Sequence, residues 1–327
     1  MVDVRTKTKP APAEEPLPAS SNSGELDSHR SESNEKASKR HIRGSSILLA
    51  GRVVSLGLNF GVQVLTVRYL AKSDYGAFAY ALSVVSMGAS VSLFGLDKAV
   101  ARFIPIYHEN SNLRRMLGAV VMTAGTVLGI GLALIFLVAG LRGILADYVV
   151  KDPQSLSLLV VLIALAPMQA FDSWFQGMFA VFAKPQAIFF RRHVLGPGLK
   201  LLAVLVVIFS GAGVYTLALG YLAGGILGLL AYLTMLWQLL RENNLLQASL
   251  LRNLELPFRE VFSFSTPLLT SDVVNILRSS MVIVFLEYFA NTVEIAEFRA
   301  VLPVAGLNLV VMQSFKYLFT PLAARLF

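Results

Sequence analysis

Repeated runs of about 20 apolar residues are the feature of this sequence that most constrains its fold. Such a run is long enough to cross the hydrocarbon core of a bilayer as an α-helix, which rises about 1.5 Å per residue. We therefore expect an all-α polytopic membrane protein. The sequence predicts eight spans, at residues 45–70, 75–97, 116–140, 156–182, 188–210, 213–240, 260–289 and 295–320.

Composition excludes several other classes of protein. Hydrophobic residues make up 55% of the chain and charged residues only 15%, against about 25% charged in soluble domains. The chain has no cysteine, and its four histidines are far apart, so neither a disulfide framework nor a metal site is predicted. We find no cofactor motif and no Ser/His/Asp or paired-carboxylate arrangement, so an enzyme is not expected.

The basic residues indicate an orientation in the membrane rather than binding to nucleic acid. Fourteen Lys and Arg residues flank the predicted spans on the side of the membrane that holds the N-terminus, and four flank them on the opposite side. This asymmetry predicts a cytoplasmic N-terminus. Residues 1–43 are rich in Pro, Ser, Glu and Lys and contain few large apolar residues, so we expect a disordered cytoplasmic tail.

A weak internal repeat divides the membrane region. VLTVRYLAKSDYGAFAYALSVV in the first hairpin is similar to IVFLEYFANTVEIAEFRAVLPVA about 220 residues later. Parallel repeats of this kind are typical of transporters. The repeat predicts a six-helix lobe at residues 44–242, followed by the first two helices of a second lobe at residues 243–327. A complete second lobe would need about four more spans, so the chain is expected to be truncated.

Polar residues form stripes along four predicted helices, at about 100° of rotation per residue. Because a polar side chain is costly in hydrocarbon, such a stripe indicates a helix face turned towards water or other polar groups. The candidates for lining a substrate cavity are Arg52, Asn59, Gln63, Lys98, Arg102, Asn275 and Arg278. Asp172 and Asp272 are candidates for coupling transport to protons.

Two interpretations of these stripes stay open. The stripes either line a water-filled cavity or form a sealed network of hydrogen bonds and Asp–Arg pairs inside the bundle. Arg278 near the middle of its span needs an anion, an acidic partner or water, since a central Arg costs about 2.5–3.5 kcal/mol. Asp172 and Asp272 are its predicted partners in the sealed network. Lys98 and Arg102, one helical turn apart, either hold an anion or anchor the topology.

Three segments resemble the polysaccharide (O-antigen and exopolysaccharide) flippases of the multidrug/oligosaccharidyl-lipid/polysaccharide exporter superfamily. They are LTVRYLAKSDYGAFAYALSVVSMGASVSLFGLDKAVARFIPIY at 65–107, FQGMFAVFAKPQAIFFRRHVLGPGLKLL at 175–202 and FSFSTPLLTSDVVNILRSSMVIVFLEYFA at 262–290. The resemblance implies a bundle of two six-helix lobes around a central cavity lined by spans one, two, seven and eight. This chain departs from the family pattern by ending at Phe327.

The resemblance implies a flippase that moves a polyprenyl-pyrophosphate-linked oligosaccharide across the bacterial cytoplasmic membrane by alternating access. Its expected partners are membrane lipids, the lipid-linked oligosaccharide, and glycosyltransferases or a polymerase of the same pathway. Arg52 and Arg278 would then offset the pyrophosphate charge, together with Lys98 and Arg102. Two alternatives remain: a cation antiporter of the multidrug-extrusion type, and a non-transporting scaffold of a polysaccharide-assembly complex.

Overall fold

The computed structural model describes residues 54–181, 194–242, 254–302 and 304–305. These residues are almost entirely helical and contain no strand, which confirms the all-α membrane fold. The predicted tail at 1–43, the candidate Arg52 and most of the eighth predicted span lie outside them. The helices in order are α1 (54–69), α2 (Lys72–Leu93), α3 (Leu96–Glu109), α4 (Leu113–Gly140), α5 (Arg142–Tyr148), α6 (Pro153–Leu162), α7 (Leu165–Val181), α8 (Gly196–Ser210), α9 (Val214–Glu242), α10 (Phe258–Phe289) and α11 (292–302).

Three helical stretches of the described chain are long and apolar enough to cross a membrane as they stand. They are Lys72–Glu109, Leu113–Gly140 and Val214–Arg241. Two further spans are bent, by 44° between α6 and α7 and by 50° within α10, which gives up to five spans. The second predicted span ended at residue 97, whereas the helical stretch continues to Glu109. Hydropathy did not reveal this extension because α3 is more polar than α2.

The breaks between helices follow local sequence signals. Phe94 and Gly95 separate α2 from α3, and both residues have left-handed backbone angles, with φ of 52° and 67°. Asn112 begins α4 by accepting a hydrogen bond from the backbone N–H of Arg115 at 3.2 Å. Asp152 begins α6 in the same way through Ser155 N–H at 2.8 Å, with a proline at the first helical position.

Two buried clusters hold the helices together. One joins α2, α6, α8 and α9 through small and branched residues. The other joins α3, α4, α7 and α9 around Trp174, which is 1% exposed. The indole N–H of Trp174 donates to Thr123 Oγ1 at 3.0 Å, and its ring meets Phe175 edge-on at 5.1 Å.

Candidate functional site

A cavity of about 440 Å³ lies among α1, α2, α7, α8, α9 and α11. This volume is within the range of about 300–1,000 Å³ that is usual for small-molecule sites. We call it the main cavity. Its polar lining includes two cations, one carboxylate and four amides: Arg299, Lys200, Asp172, Asn59, Gln63, Gln169 and Gln176.

Arg299 on α11 links the wall of the main cavity to two other helices, α1 and α2. Its Nη2 donates to Ser83 Oγ at 2.6 Å and to the carbonyl of Ala79 at 3.5 Å, both on α2. Gln63 on α1 donates to the backbone carbonyl of Arg299 at 3.2 Å and to the hydroxyl of Tyr75. The Nε of Arg299 is buried without a hydrogen-bond partner among the described residues. A guanidinium in this position can donate to an anionic ligand.

Sequence reasoning did not select Arg299. It belongs to none of the polar stripes, because it stands early in the last predicted span, in a stretch where few other polar residues share its face. The argument applied to Arg278 would have found it, since any arginine inside a span needs a polar partner or water. Lys200 was also missed as a site residue. Its ammonium lies 5.8 Å from the ring centroid of Tyr221, which also lines the main cavity.

The structure brings three predicted residues together at the main cavity: Asn59, Gln63 and Asp172. The Asn59 side chain donates to the carbonyl of Ser55 at 2.7 Å. Gln176, one turn from Asp172, donates to the Asp172 carbonyl at 3.0 Å. Amides both donate to and accept from hydroxyl groups, and an ionised carboxylate accepts from them. This wall is therefore suited to a ligand rich in hydroxyls.

A second cavity, of about 230 Å³, lies between α2, α3 and α10. We call it the side cavity. Ser86 lines both cavities, so they adjoin at α2. The candidates Asp272 and Asn275 line the side cavity, together with Asp97. The structure thus places three of the predicted residues at the main cavity and two at the side cavity.

Lys98 and Arg102 join α3 to α10. Lys98 Nζ lies 2.5 Å from Asp272 Oδ1, and both side chains are partly buried. The guanidinium carbon of Arg102 lies 4.6 Å from the ring centroid of Phe264, a cation–π contact. Neither residue lines either cavity. The two residues that the sequence suggested either as an anion site or as topology anchors thus form contacts between two helices in this structure.

Arg278 is exposed and lines neither cavity. Its predicted partner Asp272 pairs with Lys98 instead, and its other predicted partner, Asp172, lies at the main cavity. Depth in a span follows from sequence position, but the direction of a side chain depends on how the helix packs. Among the described residues, the cations of the main cavity are Arg299 and Lys200.

Comparisons with known proteins agree with this architecture. The family model for polysaccharide biosynthesis protein matches residues 41–319. A search of curated proteins finds no match. Among solved structures, the fold is similar to an inward-facing multidrug resistance MATE family transporter of the MOP superfamily, with a TM-score of 0.61 and 17% sequence identity. The match covers 78% of this chain and 58% of that one, so the chain spans little more than half the length of that transporter.

The family match includes every helix that lines the two cavities. At 17% identity, the solved structure supports the fold alone. The resemblance found in the sequence is thereby confirmed. The chain belongs to the polysaccharide biosynthesis protein family.

Proposed function

We propose that this protein flips a polyprenyl-diphosphate-linked oligosaccharide across the bacterial cytoplasmic membrane. The main cavity is the observation that supports this most, because it places two cations and a set of amides inside an apolar bundle. A polar cavity at membrane depth marks a path for a polar substrate. A scaffold without transport activity has no need for one.

The cavity chemistry matches the two parts of such a head group. Arg299 and Lys200 would offset the diphosphate charge, and an arginine fork suits phosphate oxygens. Asn59, Gln169 and Asp172 would hydrogen-bond the sugar hydroxyls. The polyprenyl tail would remain in the bilayer. A cation antiporter is disfavoured at this cavity, because the two basic side chains would repel a cationic substrate.

Alternating access would move two lobes against each other, residues 44–242 against the lobe that begins at residue 243. The distribution of Lys and Arg supports a cytoplasmic N-terminus, and the proposed location is the cytoplasmic membrane. Glycosyltransferases or a polymerase of the same pathway are the proposed partners. Asp172 and Asp272 remain the proposed coupling residues, one at each cavity.

The proposal is tested by measuring the affinity for the lipid with and without its sugar. We expect the full-length chain in lipid nanodiscs to bind a polyprenyl diphosphate bearing a short oligosaccharide more tightly than the same lipid without sugar. Gln169→Leu is expected to weaken binding of the sugar-bearing lipid about tenfold, because buried sugar hydroxyls lose a partner. Binding of the lipid without sugar is expected to change little.

Gln154→Leu is the matched control. Gln154 lies outside both cavities and donates to Asp74 at 2.9 Å. Equal losses in the two variants, or equal affinity for the lipid with and without sugar, would contradict a saccharide site in the main cavity. Isothermal titration calorimetry provides the affinities.

A further inference from the structure

Two glycines allow direct backbone contact between the predicted lobes. Gly76 in α2 lies against Thr292 at the start of α11, and a Cβ atom at Gly76 would overlap the Thr292 carbonyl. Gly118 in α4 lies against Glu255, just before α10, and a Cβ atom there would overlap the Glu255 carbonyl. Backbone atoms cannot rotate away as a long side chain can. Each contact as it stands therefore requires glycine.

Ion pairs accompany each glycine contact. Beside Gly76, Lys72 Nζ lies 3.0 Å from Glu297 Oε1. We call Lys72, Gly76, Thr292 and Glu297 the Gly76 latch. Beside Gly118, Arg115 lies 3.2 Å from Glu255 and 3.6 Å from Glu260. We call Arg115, Gly118, Glu255 and Glu260 the Gly118 latch.

The two latches lie at opposite ends of the bundle. Gly76 stands near the start of the membrane-crossing stretch Lys72–Glu109, and Gly118 follows shortly after that stretch has crossed. Each latch connects the first predicted lobe to residues after 243. By the distribution of Lys and Arg, the Gly118 latch is on the cytoplasmic side and the Gly76 latch on the outer side.

We propose that these latches are the two gates of the transporter, and that each opens while the other stays closed. The proposal rests on the proposed function. Both latches are made together in this structure. Exposed ion pairs contribute little to stability. The close glycine contacts therefore fix the closed geometry, and the ion pairs adjust how often it opens.

The Gly76 latch is coupled to the main cavity through Arg299. Arg299 stands seven residues after Thr292 on α11, and Ser83 stands seven residues after Gly76 on α2. The hydrogen bond between Arg299 and Ser83 thus lies two helical turns below the latch. Parting α2 from α11 at the latch draws the guanidinium away from α2. Opening of this gate would thereby move the main cation of the cavity at the moment of release.

Thiol labelling tests the gates without any substrate. The chain has no cysteine, so Ser86→Cys provides a single thiol at the wall shared by both cavities. A membrane-impermeant maleimide is added to right-side-out and to inside-out vesicles. We call the Ser86→Cys protein the background protein. Its labelling rate is compared with the rates of the same protein carrying Gly76→Leu or Gly118→Leu. The control is Gly125→Leu in α4, where a Cβ atom meets nothing within 4 Å among the described residues.

We expect Gly76→Leu to speed labelling from the outside about fivefold or more, and Gly118→Leu to do the same from the cytoplasmic side. Gly125→Leu is expected to label like the background protein. Acceleration on the same side in both variants, or no acceleration in either, would overturn the proposal. Because the readout needs no substrate, a wrong substrate assignment would leave this result unchanged and show only in the binding experiment.

A surface substitution tests the same gate without relying on the glycine variants to fold. Lys72 and Glu297 are both well exposed, so Lys72→Glu replaces attraction by repulsion without disturbing the core. We expect about a two- to fivefold gain in outside labelling. The charge-swapped pair Lys72→Glu with Glu297→Lys is expected to restore the background rate. An unchanged rate in Lys72→Glu, or a swap that does not restore it, would contradict a gate at this end.

Discussion

Replacement of Arg299 by alanine is expected to reduce glycan export by about 10- to 100-fold at unchanged protein level. The side chain provides the guanidinium of the main cavity, and its Nε has no partner within the described chain. A hydrogen bond between a charged donor and phosphate contributes about 1.5–3 kcal/mol, which sets the size of the effect. Export is measured as surface glycan in a strain that lacks the chromosomal gene.

Three further variants distinguish a binding role of Arg299 from a packing role. Ser83→Ala removes the 2.6 Å hydrogen bond to Arg299 and keeps the charge, so export should fall only about threefold or less. Arg299→Lys should retain part of the activity, because lysine keeps the charge without the fork. Arg278→Ala removes an exposed arginine and should have little effect. If Arg278→Ala were as damaging as Arg299→Ala, the assignment of the cavity cation would be wrong.

Replacement of Trp174 by alanine is expected to lower the free energy of unfolding by about 3–5 kcal/mol. Trp174 is 1% exposed, packs edge-on against Phe171 and Phe175, and donates to Thr123. Truncation leaves a cavity between α4 and α7 and removes the indole N–H that donates to the buried Thr123 hydroxyl. The loss of packing applies in a membrane as well, since packing drives helix association there.

The second tryptophan of the chain is the control. Trp237 is 61% exposed, and Trp237→Ala should change stability by less than about 1 kcal/mol. Equilibrium unfolding in mixed micelles, followed by circular dichroism, measures both variants. Similar losses in the two variants would show that the buried aromatic cluster does not hold α4 and α7 together.

Much of the fold could be predicted from the sequence, because the length of an apolar run reports directly on a membrane span. The bends could not. Hydropathy registers only how apolar a stretch is, so it does not distinguish a straight helix from α6–α7, which is bent by 44°. Glycines spaced four residues apart can let helices pack closely, and they do so in α9, where a Cβ atom at Gly220 would meet Ala203. At Gly125 and Gly129, the same spacing contacts nothing within 4 Å among the described residues.

The site was predictable to a smaller extent. Periodicity on one helix identified Asn59 and Gln63, because a polar stripe must face something polar. It could not show that Lys98 pairs with Asp272, which is 174 residues away, since no local spacing encodes that contact. Nor could it find a lone cation such as Arg299, because its partner Ser83 lies 216 residues earlier in the chain.

Translocation by the purified protein tests the central claim most directly. The full chain is reconstituted into liposomes with a polyprenyl diphosphate bearing a short fluorescent oligosaccharide, and a quencher is added outside. We expect the fluorescent lipid that is protected from the quencher to become accessible to it much faster than in protein-free liposomes. Arg299→Ala is expected to abolish that increase in rate. A rate equal to that of protein-free liposomes, with folded protein present in the bilayer, would contradict the account.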